Sequence, residues 1–333
     1  MPSPHPAFIR RKPIRTLYID QGQCPGDIIM LTAAVRDIKA AFPEIRINVE
    51  TTCQELWFNN PHIDPTIRRD EADAWIYAEY PDIHRSNDGA YHFGHAFRRY
   101  LAEMLGIHVP QGTIRGEVFV GETESEAFGN RLLAGGLPPC GFWLVDAGIK
   151  KDYTCKGWEL ERWQKVVDLT SDAVTWIQIG AAEHNHPALS RVIDWRGRTT
   201  TRELVLLMHR AGGVITPVSF PMHLAAATPM FGQSAKRRRP CIVLAGGREP
   251  PSWVAYNEQR YVHTCGALPC CAGGGCWKSR VMPLGDGDKK DSSICARLVP
   301  SRLTGRPIQK CMDMITPERI AALVREYLEY EQV

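Results

Sequence analysis

At 333 residues the chain exceeds what one ordinary core holds and suits two lobes of ~150 residues each. Apolar residues make up 44% of it, and 40 Lys and Arg against 37 Asp and Glu leave a formal charge of +3, which argues against a nucleic-acid coat or a membrane-surface protein. No run of about 18 apolar residues is available to cross a bilayer, and the basic N-terminus has no apolar stretch behind it, so a soluble, cytoplasmic protein is expected.

Residues 14–20 (IRTLYID) form a short β-like run that ends in the turn QGQCPGD. From Asp27 the stretch IIMLTAAVRDIKAAF spaces its apolar residues three and four apart, the period of a helix. Pro43 stops it, and IRINVE alternates as a strand, which completes one βαβ unit of a parallel sheet. After a polar stretch, 64–90, HFGHAFRRYLAEMLGI reads as an amphipathic helix and 115–120 (RGEVFV) as a strand. A Gly- and Pro-rich seam follows at 134–141, and the alternation then restarts. FWLVDAG, AVTWIQIG, GGVITP and CIVLAG read as strands, with LERWQKVVDLT, TTRELVLLMHRA and PMHLAAATPMF between them as helices. The run Lys236, Arg237, Arg238, Arg239 reads as a solvated loop and, secondarily, as an anion contact. Residues 264–312 break the rhythm, and TPERIAALVREYLEY closes the chain as a helix capped by Thr316, with Pro317 and Glu318 in its first turn. The fold class is therefore α/β with two Rossmann-like βαβ lobes, 1–138 and 139–263, a cysteine-rich insertion at 264–312 and a closing helix at 313–333.

A strand, a glycine-containing turn and a helix in succession point backbone amides and a positive dipole end into a cleft. Here the turn ends in Gly26-Asp27. An acid at a helix start serves either as a cap or as a catalyst, and the spacing is neither a dinucleotide fingerprint nor a P-loop. The order of this turn, its helix, the "FP" at 42–43, a strand and then Asn60-Pro61-His62-Ile63-Asp64 resembles the first lobe of the ADP-heptose heptosyltransferases, glycosyltransferase family nine. That resemblance implies two facing lobes of the GT-B type, with Asp27 as the general base for an acceptor hydroxyl. Where the family often carries a proline in the helix, Ala33-Ala34 stands here.

In the second lobe Lys156-Gly157-Trp158 followed by Trp163 resembles the family's K-x-W-x-x-x-x-W. The resemblance implies Lys156 as a phosphate contact; on its residues alone it is equally a solvated lysine. It further implies Glu183, in IQIGAAEHNHPAL, on the donor ribose, with His184 and His186 as ordinary polar loop residues. The stretch VIDWRGRTTTRELVLLMHRAGGVIT follows the family pattern closely. The family's phosphate motif, D-[ST]-G-x-x-H-L-A-A-A, corresponds to Val218 through Ala227: Ser219 keeps the hydroxyl and His223-Leu224-Ala225-Ala226-Ala227 is intact. Val218 replaces the acid and Phe220 the glycine, so the turn is expected to manage without glycine's free φ. His223 is either a phosphate donor or a packing histidine.

Eleven cysteines without a secretion signal are read as metal ligands or reactive thiols rather than bridges. Six lie in the insertion, which has no apolar periodicity to order it. Cys270, Cys271, Cys276, Cys295 and Cys311 can wrap one tetrahedral ion through four thiolates, with Cys271 preferred to Cys270 because the loop Gly273-Gly274-Gly275 closes tightly. Four sulfurs suit zinc or iron alike. A finger here resembles the autotransporter heptosyltransferases, which glycosylate a protein and carry cysteine-bound iron, although the first spacing is longer than C-x-x-C. The ion is expected to be structural, with no catalytic metal.

The function expected is transfer of a heptose-like sugar, with inversion, from a nucleotide-diphosphate donor such as ADP-heptose to a glycan or protein hydroxyl, from a chain that can form a homo-oligomer. The alternative is a metal-finger binding scaffold on an inactive transferase fold.

Overall fold

Thr16–Gln21 alternates poorly because both of its faces are covered, and it forms the centre of the first sheet as β2. In the computed structural model, which describes residues 7–10, 12–79, 82, 89, 91–148, 154–234, 237–276, 295 and 297–330, this sheet has the order β1-β4-β2-β3. Here β1 is Ala7–Ile9, β3 is Arg46–Thr51 and β4 is Ala74–Tyr77. β2 runs parallel to β3 and β4, while β1 is antiparallel at the edge. β4 falls inside the stretch read as polar, since a four-residue strand between acidic residues leaves no period to see. Helix α1, Pro25–Ala41, starts with proline in its first turn and is apolar almost all round. It is wrapped by the sheet, by α2 (Phe93–Leu105) and by α6 (Phe220–Ala227), which is why no polar stripe is needed.

The second sheet is entirely parallel, in the order β10-β9-β8-β5-β6-β7. Its strands are β5 Trp143–Val145, β6 Trp176–Gln178, β7 Ile193–Asp194, β8 Gly213–Pro217, β9 Cys241–Gly246 and β10 Arg260–His263. The helices α3 Glu122–Ala134, α4 Leu160–Thr170, α5 Thr201–Arg210, α7 Pro251–Val254 and α9 Pro317–Tyr330 complete the layers, with α9 packed on α4. A single apolar core crosses the seam: Ile28 and Met30 of α1 pack in one cluster with Met222 and Leu224 of α6 and with Tyr256.

Three expectations need correction. Residues 115–120 are extended but form no strand. Their backbone donors go to helices instead, Glu117 N–H to Thr32 Oγ1 at 2.8 Å and Val118 N–H to the Ala227 carbonyl at 3.1 Å, so the segment is a strap between α1 and α6. Arg239, expected in a solvated loop, is buried. Its guanidinium donates to the carbonyls of His209, Ala211, Ala225, Thr228 and Pro229 at 3.0–3.4 Å, the C-terminal ends of α5 and α6. Both helix dipoles point their negative ends there, and a cation is the group that suits them. Finally, the far end of the cysteine-rich insertion is ordered by ordinary packing. β11 (Leu298–Pro300) and β12 (Pro307–Gln309) form a hairpin that leads into α8, Lys310–Asp313. Ile308 and Met312 join the second core, and the buried Arg162 pairs with Glu159 at 2.7 Å and with Asp313.

Candidate active site

In the second sheet the chain moves outward from β5 through β6 to β7, then returns to the other side of β5 for β8, β9 and β10. The order reverses between β5 and β8, and beyond the carboxyl ends of two such strands lies the crevice that binds ligands in open α/β sheets. Asp146 follows β5, Thr216 lies near the end of β8, and Ser219 is the N-cap of α6. Asp146 is 4% exposed, and its Oδ2 accepts from Thr216 Oγ1 at 3.0 Å and from Ser219 Oγ at 2.9 Å. The Ser219 hydroxyl thus serves Asp146 rather than capping its own helix. Phe220 needs no glycine-like φ, because it is already the first residue of α6.

Lys156 reaches the same turn. Its Nζ donates to the Val218 carbonyl at 3.2 Å and pairs with Glu249 Oε1 at 2.6 Å. Glu249 is buried; burial opposes its ionisation, but Lys156 and Arg248, the latter at 2.6 Å, outweigh it and hold the carboxyl below its ordinary range. Trp158 and Trp163, which flank this lysine in sequence, are both buried and meet edge to face at 5.1 Å. Their role is to seat the segment that carries Lys156.

Asp27 stands in the first turn of α1, where its Oδ2 accepts the Cys24 N–H at 3.2 Å, so the capping role is realised. Its neighbour Gly26 lies against the second lobe: a Cβ there would stand 3.0 Å from His223 Cδ2. His223 is 8% exposed, with Nδ1 2.9 Å from the Tyr256 hydroxyl, which in turn lies 3.1 Å from Met30 Sδ. Burial pulls His223 down to about 3, so the ring is neutral at neutral pH and closes the seam between the lobes. The structure therefore gathers Asp27, Lys156, Ser219 and His223 around facing starts of α1 and α6. Glu183 stands apart, its side chain 75% exposed on the turn after β6. His186, expected as a polar loop residue, is instead packed with its Nδ1 3.4 Å from Asp146 Oδ1. Asp146, Glu249 and Tyr256 escaped the sequence reading, and His186 entered it only as a loop residue. The one signal was an acid at the end of an apolar strand, FWLVD.

The cysteines divide. Cys270, Cys276, Cys295 and Cys311 lie within electrostatic reach of one another, close to the turn after β9, where Cys276 N–H donates to the Gly247 carbonyl at 3.0 Å. Cys271 is buried beside them, with Sγ 3.5 Å from the Thr264 carbonyl and 3.4 Å from that of Leu268. Among the described residues no three His, Cys, Asp or Glu side chains stand at ligating geometry. The donor set suits a soft ion, but the sulfurs are not closed around a common point. Residues 277–294 and 296, within the loop that joins Cys276 to Cys295 and Cys311, lie outside the described residues.

No family model matches this sequence, and no curated protein matches it. Solved structures superpose over nearly all of it. A glycosyltransferase of family nine from Veillonella parvula aligns with a TM-score of 0.62 over 97% of this chain and 100% of its own, at 14% identity. The ADP-heptose lipopolysaccharide heptosyltransferase II of E. coli aligns with a TM-score of 0.58 over 96% of this chain and 100% of its own, at 15% identity. The iron-containing dodecameric glycosyltransferase TibC of enterotoxigenic E. coli aligns with a TM-score of 0.63 over 97% and 78%, also at 15% identity. This is the fold of the family-nine glycosyltransferases. Identities this low make the likeness one of fold. Among the described residues no helix is long and apolar enough to cross a membrane.

Proposed function

We propose that the chain is an inverting glycosyltransferase that moves a heptose-like sugar from a nucleotide-diphosphate donor to a hydroxyl of a glycan or protein. The observation that carries this reading is the meeting of two helix starts across the seam, Gly26 against His223, with Asp27 on one side and Lys156 and Ser219 on the other. The second lobe, taken from the seam at 134–141 onward, holds the donor at the β5–β8 reversal, and the first lobe holds the acceptor. Asp27 takes the proton of the acceptor hydroxyl as that oxygen attacks the anomeric carbon, while Lys156 and the backbone amides at the start of α6 stabilise the departing diphosphate. ADP-heptose is the donor favoured, because a structure of TibC carries ADP-D-beta-D-heptose in the same fold. The direct test supplies ADP-heptose with candidate acceptors and measures ADP release. Release of ADP from none of the nucleotide sugars tried, together with no thermal shift from any nucleoside diphosphate, would leave the inactive-scaffold reading in its place.

Lys156→Ala is expected to weaken nucleoside-diphosphate binding by on the order of 1.5–3 kcal/mol while a bare nucleoside binds nearly as before. Arg248 remains to pair the buried Glu249, so the loss is local. Calorimetry that finds equal loss for nucleoside and diphosphate would remove Lys156 from the phosphate site.

We propose a structural ion, zinc or iron, on Cys276, Cys295, Cys311 and one of the pair Cys270 and Cys271. Protein purified without added metal is expected to hold about one equivalent per chain, released by acid or a strong chelator. The hairpin β11–β12 should stay docked after release, since Ile308, Met312 and Arg162 hold it. Elemental analysis giving less than about a third of an equivalent of zinc and iron combined would sink this assignment.

A further inference from the structure

We propose that Asp146 is a positioning residue for donor binding: it takes up one proton as a nucleoside diphosphate binds, and this frees the Ser219 hydroxyl to donate to phosphate. The inference rests on the donor site proposed above.

A hydroxyl has a single proton, and a phosphate oxygen only accepts. In the structure two hydroxyls, Ser219 Oγ at 2.9 Å and Thr216 Oγ1 at 3.0 Å, converge on one carboxylate oxygen, Asp146 Oδ2. With Asp146 ionised, Oδ2 accepts from both hydroxyls, which also lie 2.9 Å from each other. Ser219 then offers only lone pairs to the cleft, and a diphosphate placed there meets like charge with no donor from this residue. Once a proton from solvent sits on Oδ2, the carboxyl donates to Ser219, and Ser219 Oγ–H turns to the ligand. Thr216 keeps a partner throughout, because the Pro217 carbonyl lies 3.0 Å from its hydroxyl.

The surroundings favour the proton on Asp146. The side chain is buried, and burial raises its proton affinity; His186, the Ser219 and Thr216 hydroxyls and the Gly148 amide act against burial but do not overcome it. The His186 ring stands 3.4 Å from Oδ1, in a space that exists only because Gly148 and Gly180 lack a Cβ. Burial lowers His186 in turn, so its ring adds no fixed positive charge. Of the other charged groups around the pair, His184 and Arg196 bear on the His186 side, Glu183 is exposed, and Lys156 is directed at Glu249 and the Val218 carbonyl rather than at Asp146. The negative charge of an incoming diphosphate raises the proton affinity of Asp146 further, and a proton on Oδ2 removes that repulsion.

The probe is ADP, whose own last proton leaves at about pH 6. Titration calorimetry at about pH 8, in buffers of different ionisation enthalpy, is expected to register uptake of close to one proton per ADP bound, with Kd rising about tenfold per pH unit above that point. Asp146→Asn, whose amide donates to Ser219 as the protonated acid would, should bind ADP with no uptake and no pH slope. Ser219→Ala should lose the uptake as well, and it tests the linkage even if the Asn variant folds poorly. Binding by the wild-type protein without uptake, or uptake unchanged in both variants, overturns the inference alone. No ADP binding by the wild-type protein overturns the donor site itself and this inference with it.

Discussion

Asp27→Asn is expected to lower the transfer rate by roughly 10²–10⁴-fold, the contribution of one general base, with folding and donor affinity nearly intact. The physical ground is that the two roles of this carboxyl separate in the variant. As a cap, Asp27 accepts the Cys24 N–H through one oxygen, and an asparagine carbonyl at the same position still accepts it. As a base, the carboxylate must take a proton, which an amide cannot do. The donor-binding groups sit on the other lobe, at Lys156 and the β8–α6 turn, so nucleotide affinity provides an internal control. Turnover with ADP-heptose and a melting curve on the same preparation decide the matter. Near-normal turnover would reduce Asp27 to a helix cap, and a large drop in melting temperature would mean that the lost activity reports unfolding.

Arg239→Ala is expected to destabilise the fold by on the order of 3–5 kcal/mol, whereas Arg238→Ala changes it by no more than about 0.5 kcal/mol. The two neighbours have the same charge and opposite surroundings. Arg239 is 4% exposed and satisfies carbonyls at the ends of α5 and α6 together with that of Pro229, so truncation strands several buried acceptors and leaves a cavity. Arg238 is a third exposed at its side chain, and its ion pair with Glu258, at 3.7 Å, is a surface pair of small worth. Denaturant unfolding of both variants is the check. Equal, small effects would mean that the clamp between the two helix ends contributes little.

The local alternation of strand and helix was legible in the sequence from β2 onward because buried parallel strands and amphipathic helices each leave a period, as in IRINVE or TTRELVLLMHRA. The cap of the last helix and the Gly26-Asp27 turn were legible for the same reason, since turns and helix starts are short-range chemistry. What the sequence could not carry was any property set by a partner distant along the chain. Residues 115–120 have the composition of a strand, yet their donors find Thr32 and Ala227 rather than another strand. Arg239 belongs to a basic run on paper, and only the convergence of two helix ends makes it a buried clamp. Cys270 and Cys271 are equivalent neighbours in sequence, and only the fold buries the second with its sulfur beside two carbonyls. Within the site, a matched motif located Lys156, Ser219 and His223, but not Asp146, His186 or Glu249, which approach those residues from other strands and loops. Their contribution is electrostatic and lies in contacts across 40 to 93 positions of sequence, from His186–Asp146 to Lys156–Glu249, which no local pattern records. Identity of residue type set what each group can do chemically; the reversal of strand order between β5 and β8 decided which of them meet.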